Sequence, residues 1–291
     1  MSNYNIDQFS QITGINKILI RTWENRYGFI KPLRTSTNIR YYNDDMLTKG
    51  IKYSLLVQNG LKISKIINLN DIELNELISE LLSKTEKKEI KNDIYISKFI
   101  ESAIYYNQNL FEETFQDCIN QIGLINLYKT VLVKTMKKIS LLYLNSEINP
   151  GNEHFFSENI RLKLSNEIEK NKNTNSNNKK WLLFLPENEY HDIGLLFSHL
   201  LLKYNKQNVI YLGQNTPRGS LLNFKKEKLN ILLFIQTKQK NIFINDLIIF
   251  LHKNFKDNKL YIISKEKLDL EAFENINQLL NIDEFTSILN S

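Results

Sequence analysis

The chain of 291 residues is long enough to form more than one domain with its own core. Hydrophobic residues make up 42% and charged residues 24%, the balance of a folded rather than a disordered chain. The longest apolar runs, such as 181–186 and 231–235, are far shorter than the roughly 20 residues that cross a bilayer. The N-terminus lacks the pattern of a secretory signal, and the single cysteine, Cys118, has no internal disulfide partner. We therefore expect a cytoplasmic protein with no membrane contact.

The formal net charge of +6 is concentrated at the N-terminus. Residues 1–70 contain ten Lys or Arg and four Asp or Glu, so this segment carries the whole excess and the remaining chain is neutral. A DNA partner explains this asymmetry, because neutralising phosphates releases counterions and supplies most non-specific affinity. A basic face that only interacts with water explains it equally well, so charge alone leaves both alternatives open.

The first residues have the order of a winged helix-turn-helix. Apolar residues along 6–13 share one helical face, Gly14 ends that helix, and Asn16 is a suitable N-cap for a second helix that ends at Gly28. Two short segments that suit the strands of a wing follow, 31–34 and 38–42. We place the boundary of this N-terminal domain at residue 72.

The next region has a purely helical pattern. Between residues 73 and 170, apolar residues recur at helical spacing, as in Leu74, Leu77 and Ile78, without the alternation typical of strands. We predict a central four-helix bundle over 73–170.

The end of the chain has a different pattern. Segment 171–180 contains no apolar residue and predicts a linker, because it cannot contribute to a core. Short apolar runs separated by helix-length segments then follow, which is typical of strand–helix–strand units. We predict a doubly wound parallel α/β domain, Rossmann-like, over 181–291. Its strands are expected at 181–185, 208–212, 230–235 and 259–263.

The N-terminal motifs resemble the MerR family of transcriptional regulators over about residues 4–67. The resemblance is carried by segments 6–14, 21–28, 31–34 and 40–42. It implies sequence-specific binding to double-stranded operator DNA by a dimer or higher homo-oligomer, with the second helix in the major groove and the wing beside the backbone. Asn38 stands where the family usually has a glycine in the wing turn. The residues implied to contact DNA are Lys17, Arg21, Thr22, Glu24, Arg26, Tyr27, Arg34, Arg40 and Tyr42.

Side chains of the second helix also admit a structural interpretation. Packing is the favoured role for Trp23 and Tyr27, since large aromatic side chains usually bury. Arg21 and Arg26 suit phosphate or guanine contacts, although Arg26 is also close in sequence to Glu24 and could pair with it.

Two further motifs resemble the cobalamin-binding regulators of the MerR group, which include photoreceptors that control carotenoid genes. In the helical region, Tyr143 precedes Glu153 and His154 with the spacing of the family's Trp, nine residues and Glu-His, which cover the corrin. In the α/β domain, the segment 189–194 resembles the family's acid-x-His-x-x-Gly motif. The resemblance implies that His191 ligates cobalt, with Glu189 holding its other ring nitrogen. The residues implied to bind the cofactor are Tyr143, Glu153, His154, Glu189, His191, Asp192, Gly194 and Gly213.

The chain departs from that pattern where the nucleotide tail of the cobalamin passes. Residues 236–238 replace the family's Ser motif, and residues 264–266 replace its Gly-Gly pair. Leu144 stands where the light-responsive members have a histidine. The side chains at residues 236–238 and 264–266 obstruct the slot for the tail. The sequence therefore leaves open both a bound cobalamin and a retained fold without a ligand.

Three functions fit these observations. The first is a DNA-binding transcriptional regulator, not an enzyme, whose C-terminal domains oligomerise or sense a ligand. The second is a regulator of the same kind whose former sensor works through protein contacts alone. The third is a corrinoid-carrier protein of a cobalamin-dependent enzyme system, which requires a separate catalytic module. The basic N-terminal domain favours a regulator, because a carrier has no need for a DNA-binding surface.

Overall fold

The structure is a computed structural model that describes residues 3–143, 150–171, 180–236 and 241–290. The chain forms two compact units, Met1–Ser157 and Glu158–Ser291. The predicted boundary at residue 72 falls inside the first unit. The predicted linker falls inside the second unit; residues 172–179 of it lie outside the described residues, and Lys180 already belongs to a strand.

The first unit is helical apart from a small wing. Its helices are α1 (Ile6–Thr13), α2 (Lys17–Tyr27), α3 (Asp44–Gln58), α4 (Ile63–Ile66), α5 (Asp71–Lys84), α6 (Lys88–Ile104), α7 (Gln108–Asn126), α8 (Val133–Tyr143) and the first part of α9 (Pro150–Lys170). A π-helical turn, Leu127–Leu132, joins α7 to α8. Strands β1 (Leu33–Arg34) and β2 (Arg40–Tyr41) pair antiparallel to form the wing.

We define the head as residues 3–58. Its first two helices, α1 and α2, end at the residues that the sequence indicated. Side-chain oxygens of Asn5 and Asn16 accept backbone N–H groups at the starts of α1 and α2. Gly14 and Gly28 end these helices in the left-handed conformation, with φ of 74° and 62°. Asn38 also has a positive φ, 66°, which asparagine tolerates better than most residues. The predicted helix-turn-helix and wing are confirmed.

The core of the head depends on a close contact between α1 and α3. Phe9 and Tyr42 are fully buried, with ring centroids 4.3 Å apart. Helix α3 passes over Phe9 at Gly50, where an added Cβ would lie 2.4 Å from Cζ of Phe9. Real Cβ atoms do not approach other atoms so closely, so only glycine allows this helix spacing.

The head is joined to the following helices by packing and by polar contacts. Helix α1 packs on α8, and α3 packs on α5 and α6. The buried ammonium group of Lys52 on α3 lies 2.9 Å from Oε1 of Glu101 on α6. Lys138 on α8 donates to the carbonyl oxygen of Ile12 at the end of α1, at 3.2 Å, where the helix dipole favours a positive charge. Head and bundle therefore form one unit.

The second unit contains a parallel five-stranded sheet with the strand order β4-β3-β5-β6-β7. Its elements are β3 (Lys180–Pro186), α10 (Ile193–Tyr204), β4 (Asn208–Thr216), α11 (Arg218–Leu221), β5 (Leu229–Ile235), α12 (Asn241–Asn254), β6 (Lys259–Ser264), β7 (Ile276–Leu279) and α13 (Ile282–Asn290). The four predicted strands are confirmed, and β7 is an additional strand.

The central strands β3 and β5 are buried along almost their whole length, as expected for a parallel sheet covered on both faces. An apolar cluster between the sheet and α12 includes Phe184, Leu233 and Leu251. Among the residues that the structure describes, no helix combines the length and hydropathy needed to span a membrane.

We expect Gly50→Ala to lower the free energy of unfolding by about 1–3 kcal/mol, because the added methyl group overpacks the contact with Phe9. Urea unfolding of the full chain followed by circular dichroism measures this change. Gly219→Ala is the control, since an added Cβ there meets no atom within 4 Å. Equal stability of the two variants would contradict the proposed role of Gly50.

Candidate functional site

Helix α2 buries one face in the head and leaves the other exposed. Ile20 and Trp23 are buried, and Trp23 packs edge-on against Phe29 with ring centroids 5.2 Å apart. The packing role expected for Trp23 is thus observed, whereas Tyr27 is 39% exposed. The exposed residues on the opposite face are Lys17, Ile18, Arg21, Asn25 and Arg26, with Thr22 half-buried among them.

Glu24 connects α2 to the wing. Nε of Arg40 donates to both oxygens of the Glu24 carboxylate, at 3.3 and 3.1 Å, and Nη2 of Arg34 lies 3.8 Å from Oε1. Nη1 of Arg34 also donates to Oδ1 of Asn38 in the wing turn, at 2.9 Å. Glu24 therefore pairs with the arginines of the wing rather than with Arg26, and the wing is held against the second helix by charge.

Tyr42 lies in the core and not on the surface expected for a DNA contact. Its side chain is fully buried against Phe9, and burial raises the pKa of its hydroxyl to about 12. Backbone hydrogen bonds to Tyr4, of 2.7 and 2.8 Å, tie the end of the wing to the start of the chain. This pairing spans 38 residues of sequence, so no local pattern could indicate that the ring of Tyr42 turns inward.

Two arginines of α2 remain available to a ligand. Arg21 and Arg26 are exposed and form no ion pair or hydrogen bond with any residue in the described part of the chain. Lys17, by contrast, pairs with Asp7 of α1. Guanidinium groups on an exposed helix face suit phosphate oxygens and guanine edges.

The loops that follow β3 and β5 meet at the point where the strand order reverses. Glu189, in the loop after β3, is fully buried. Its Oε1 accepts the backbone N–H groups of Tyr190 and His191, each at 3.1 Å, and lies 2.8 Å from Nδ1 of His191. Its Oε2 accepts the backbone N–H of Gln236 after β5, at 2.9 Å. Ligands of parallel α/β sheets bind at this switch point, so the loop with Glu189 and His191 is the candidate ligand site of the unit.

The other residues expected at this site, Asp192, Gly194 and Gly213, each have a structural role within the second unit. Asp192 is paired with Arg161 on α9, with 2.7 Å between carboxylate oxygen and Nε. Gly194 starts α10 against β5, and an added Cβ would lie 2.8 Å from Cε1 of Phe234 and 3.0 Å from Nε2 of Gln236. Gly213 has a φ of 79° at a register shift between β3 and β4.

The residues expected in a corrin cap lie in the first unit. Glu153 is half-buried and His154 is exposed near the start of α9. Tyr143 is the last residue of α8, and its side chain is outside the described residues, as are Leu144 and residues 237–238.

The sequence did not indicate Phe234 as a residue of the ligand loop region. Phe234 belongs to an apolar run that predicts a buried strand, and nothing in the run distinguishes Phe234 from its neighbours. Asn215 binds the loop from the next strand: its Oδ1 accepts the backbone N–H of Asn188 at 2.9 Å, and its own N–H donates to the carbonyl of Glu189 at 3.1 Å. Asn215 has a positive φ of 52°. Asn tolerates this conformation, and an Asn followed by Thr-Pro favours a turn, so the sequence contained a signal for it.

A winged helix-turn-helix with an exposed basic helix, followed by helices and a parallel α/β unit, defines the class of DNA-binding regulators with a C-terminal α/β domain. Residues 4–71 match the MerR HTH family regulatory protein. The HTH-type transcriptional repressor CarH of Myxococcus xanthus is 22% identical over 220 residues, which cover 75% of this chain and 73% of CarH. The HTH-type transcriptional regulator MlrA of Escherichia coli (strain K12) is 32% identical over 66 residues, covering 23% of this chain and 27% of MlrA.

Among solved structures, the monomethylamine corrinoid protein of Methanosarcina barkeri has a TM-score of 0.53 and 18% identity. The likeness covers 67% of this chain and 94% of that protein, and it shows a shared fold. The head is therefore a MerR-type helix-turn-helix domain, and the chain is a DNA-binding transcriptional regulator whose C-terminal unit has the fold of a corrinoid protein.

Arg21→Ala should weaken binding to a specific duplex by about 1–3 kcal/mol, because an arginine that contacts a base or a phosphate with two N–H groups contributes that much. The measurement is a titration of full-length protein against a duplex that the wild type enriches from a randomised pool, here called the selected duplex. Lys253→Ala, which removes an exposed positive charge from α12, is the control and should leave the affinity unchanged. Unchanged affinity of Arg21→Ala would place the contact elsewhere on α2.

Proposed function

We propose that this protein is a sequence-specific transcriptional regulator that binds operator DNA through α2 and the wing, as a homo-oligomer and without enzymatic activity of its own. The observation that carries this proposal is the exposed face of α2. Arg21 and Arg26 project from a helix whose other face is buried, in the segment that holds the entire net positive charge. Such a surface attracts a polyanion and orients it against one helix.

The charges in the head divide into two groups with different roles. Arg34 and Arg40 both pair with Glu24 and hold the wing beside α2. Arg21 and Arg26 are not used by the head and supply the contacts to DNA. In this arrangement Glu24 and Arg40 are positioning residues, since they set the distance between the helix in the major groove and the wing.

A homo-oligomer follows from the way helix-turn-helix heads recognise DNA. One head contacts a half-site of only a few base pairs, and a two-fold symmetric protein places two heads on two symmetric half-sites. The helices after the head and the α/β unit supply the surfaces for self-association in this proposal. The operator should therefore be an inverted repeat.

Cobalamin is the ligand that the fold of the second unit suggests, and the residues fit it only in part. The pairing of His191 with Glu189 suits a histidine that ligates cobalt. The space beside Gly194, where the nucleotide tail would pass, is filled by the side chains of Phe234 and Gln236. Buried Glu189 also has a structural role without any ligand, because it accepts three backbone N–H groups from two loops. We propose that the unit works through protein contacts, without cobalamin in this slot.

A corrinoid carrier for an enzyme is the second candidate, because the likeness to a corrinoid protein extends over two thirds of the chain. A carrier must bind a corrinoid, and Phe234 and Gln236 beside Gly194 oppose that binding, as they oppose cobalamin sensing. The MerR-type head opposes it further, since transfer chemistry on a carrier has no use for a basic helix that fits the major groove.

The test of DNA binding is selection from a pool of randomised duplexes with the full-length protein. We expect enrichment of one inverted repeat, and an affinity for it that falls steeply as salt rises, because each phosphate contact releases a counterion. A double variant, Arg21→Ala with Arg26→Ala, should enrich nothing. Absence of enrichment by the wild type would contradict the proposed function.

The test of the ligand is incubation of the full-length protein with adenosylcobalamin, removal of free ligand by desalting, and an absorption spectrum. We expect no stoichiometric corrinoid to remain with the wild type, because Phe234 and Gln236 occupy the slot. His191→Ala should give the same spectrum as the wild type. A stoichiometric chromophore in the wild type that His191→Ala loses would reverse this conclusion and make the chain a cobalamin-responsive regulator.

A further inference from the structure

Ile18 lies at the N-terminal end of the exposed face of α2. It is the second residue of the helix, and its side chain is 73% exposed. Arg21 and Thr22 follow one turn later and Asn25 two turns later, so all four residues share the face that is turned away from the core. An exposed isoleucine therefore stands at the N-terminal end of a surface whose other members, Arg21, Thr22 and Asn25, are polar or charged.

The backbone around Ile18 is held from both sides. Its N–H donates to Oδ1 of the capping residue Asn16 at 2.9 Å, and its carbonyl accepts the hydroxyl of Thr22 at 2.8 Å. A β-branched side chain in a helix has one strongly preferred χ1 rotamer. The apolar end of Ile18 is thus presented to solvent in a defined orientation, and ordering it on a ligand costs little conformational entropy.

The chemistry of the major groove offers one match for such a side chain. Residues near the N-terminus of a recognition helix reach the base edges. These edges present hydrogen-bond donors and acceptors, and the single apolar group among them is the C5-methyl of thymine. Ile18 has no donor or acceptor, so it cannot bond to phosphate or to the polar edges of other bases.

We infer that Ile18 determines part of the sequence specificity by packing against the methyl group of a thymine in each half-site. This inference rests on the proposed function, because it requires α2 to lie in the major groove. It goes further by naming the base that the operator must contain opposite Ile18 and the group on that base that is recognised. Arg21, on the same face, would then contact a neighbouring base or phosphate of the same half-site.

The chain contains a closely matched control, Ile72. It is also the second residue of a helix, α5, it follows an asparagine cap whose Oδ1 accepts its N–H at 2.9 Å, and it is 71% exposed. Ile72→Ala therefore removes the same atoms in the same local setting, outside the helix-turn-helix. Any effect of the substitution on helix stability is common to Ile18→Ala and Ile72→Ala.

The experiment replaces thymines of the selected duplex by deoxyuridine, one symmetric pair at a time, and measures the affinity of the full-length wild type, Ile18→Ala and Ile72→Ala. Deoxyuridine keeps the Watson–Crick pairing and lacks only the C5-methyl. At one pair of positions we expect the wild type to lose about fourfold per half-site, the equivalent of one buried methyl group at ~0.8 kcal/mol. Ile72→Ala should show the same loss. Ile18→Ala should bind the thymine duplex more weakly than the wild type and should no longer distinguish thymine from deoxyuridine there.

Two results would overturn the inference while leaving the proposed function intact. One is a wild type that is insensitive to deoxyuridine at every position. The other is an Ile18→Ala variant that retains the full preference for thymine. If the wild type enriches no duplex at all, the proposed function fails, and the inference fails with it.

Discussion

At Gly50, helix α3 passes so close to α1 that the ring of Phe9 occupies the space of a β-carbon. Because α2 follows α1 after a three-residue turn and the wing leads into α3, the distance between α1 and α3 sets the position of every element that faces DNA. The same two helices also pack on the bundle, through α8 on one side and α5 and α6 on the other. The orientation of the DNA-binding surface is therefore coupled to the helices behind it, through Lys52 and Lys138 as well as through apolar packing.

The α/β unit contains a second close approach at a glycine, at the start of α10. At Gly194, the missing side chain allows α10 to lie against Phe234 and Gln236 of the central strand region. A β-carbon at this position would lie 2.8 Å from Cε1 of Phe234 and 3.0 Å from Nε2 of Gln236, so only glycine fits here without a shift of these side chains. Glu189 completes the arrangement, because a fully buried carboxylate requires hydrogen-bond donors and finds them in two loops. Glu189 thereby connects the loop after β3 to the loop after β5.

The arginines of the head differ in their partners, and this difference separates their roles. Arg40 on β2 donates to Glu24 on α2 and stabilises the wing. Arg21 and Arg26 have no such partner in the described chain and keep their hydrogen-bonding capacity for a ligand. Ile18 adds an apolar group to this surface. A surface that combines free guanidinium groups with one rigid apolar side chain is suited to contact both the backbone and the base edges of DNA.

The local elements follow from residues that are close together in the sequence. The caps at Asn16, Gly14 and Gly28 act within a few residues of the chain, and the apolar runs of the central strands indicate burial on both faces. For this reason the helix-turn-helix, the wing and four strands could be predicted. Strand β7 could not, because its four residues include only two buried side chains and it follows β6 without an intervening helix.

The direction and the partners of individual side chains depend on the tertiary structure. Tyr42 turns into the core because Tyr4, far away in sequence, pairs with its backbone, and Glu24 turns to the wing because Arg40 lies beside it. The space at Gly194 is filled because Phe234, forty residues later, is brought against it by the parallel pairing of β3 and β5. These outcomes depend on contacts between distant segments, whose free energy is set by packing and burial in the assembled fold and leaves no periodic or local trace in the sequence.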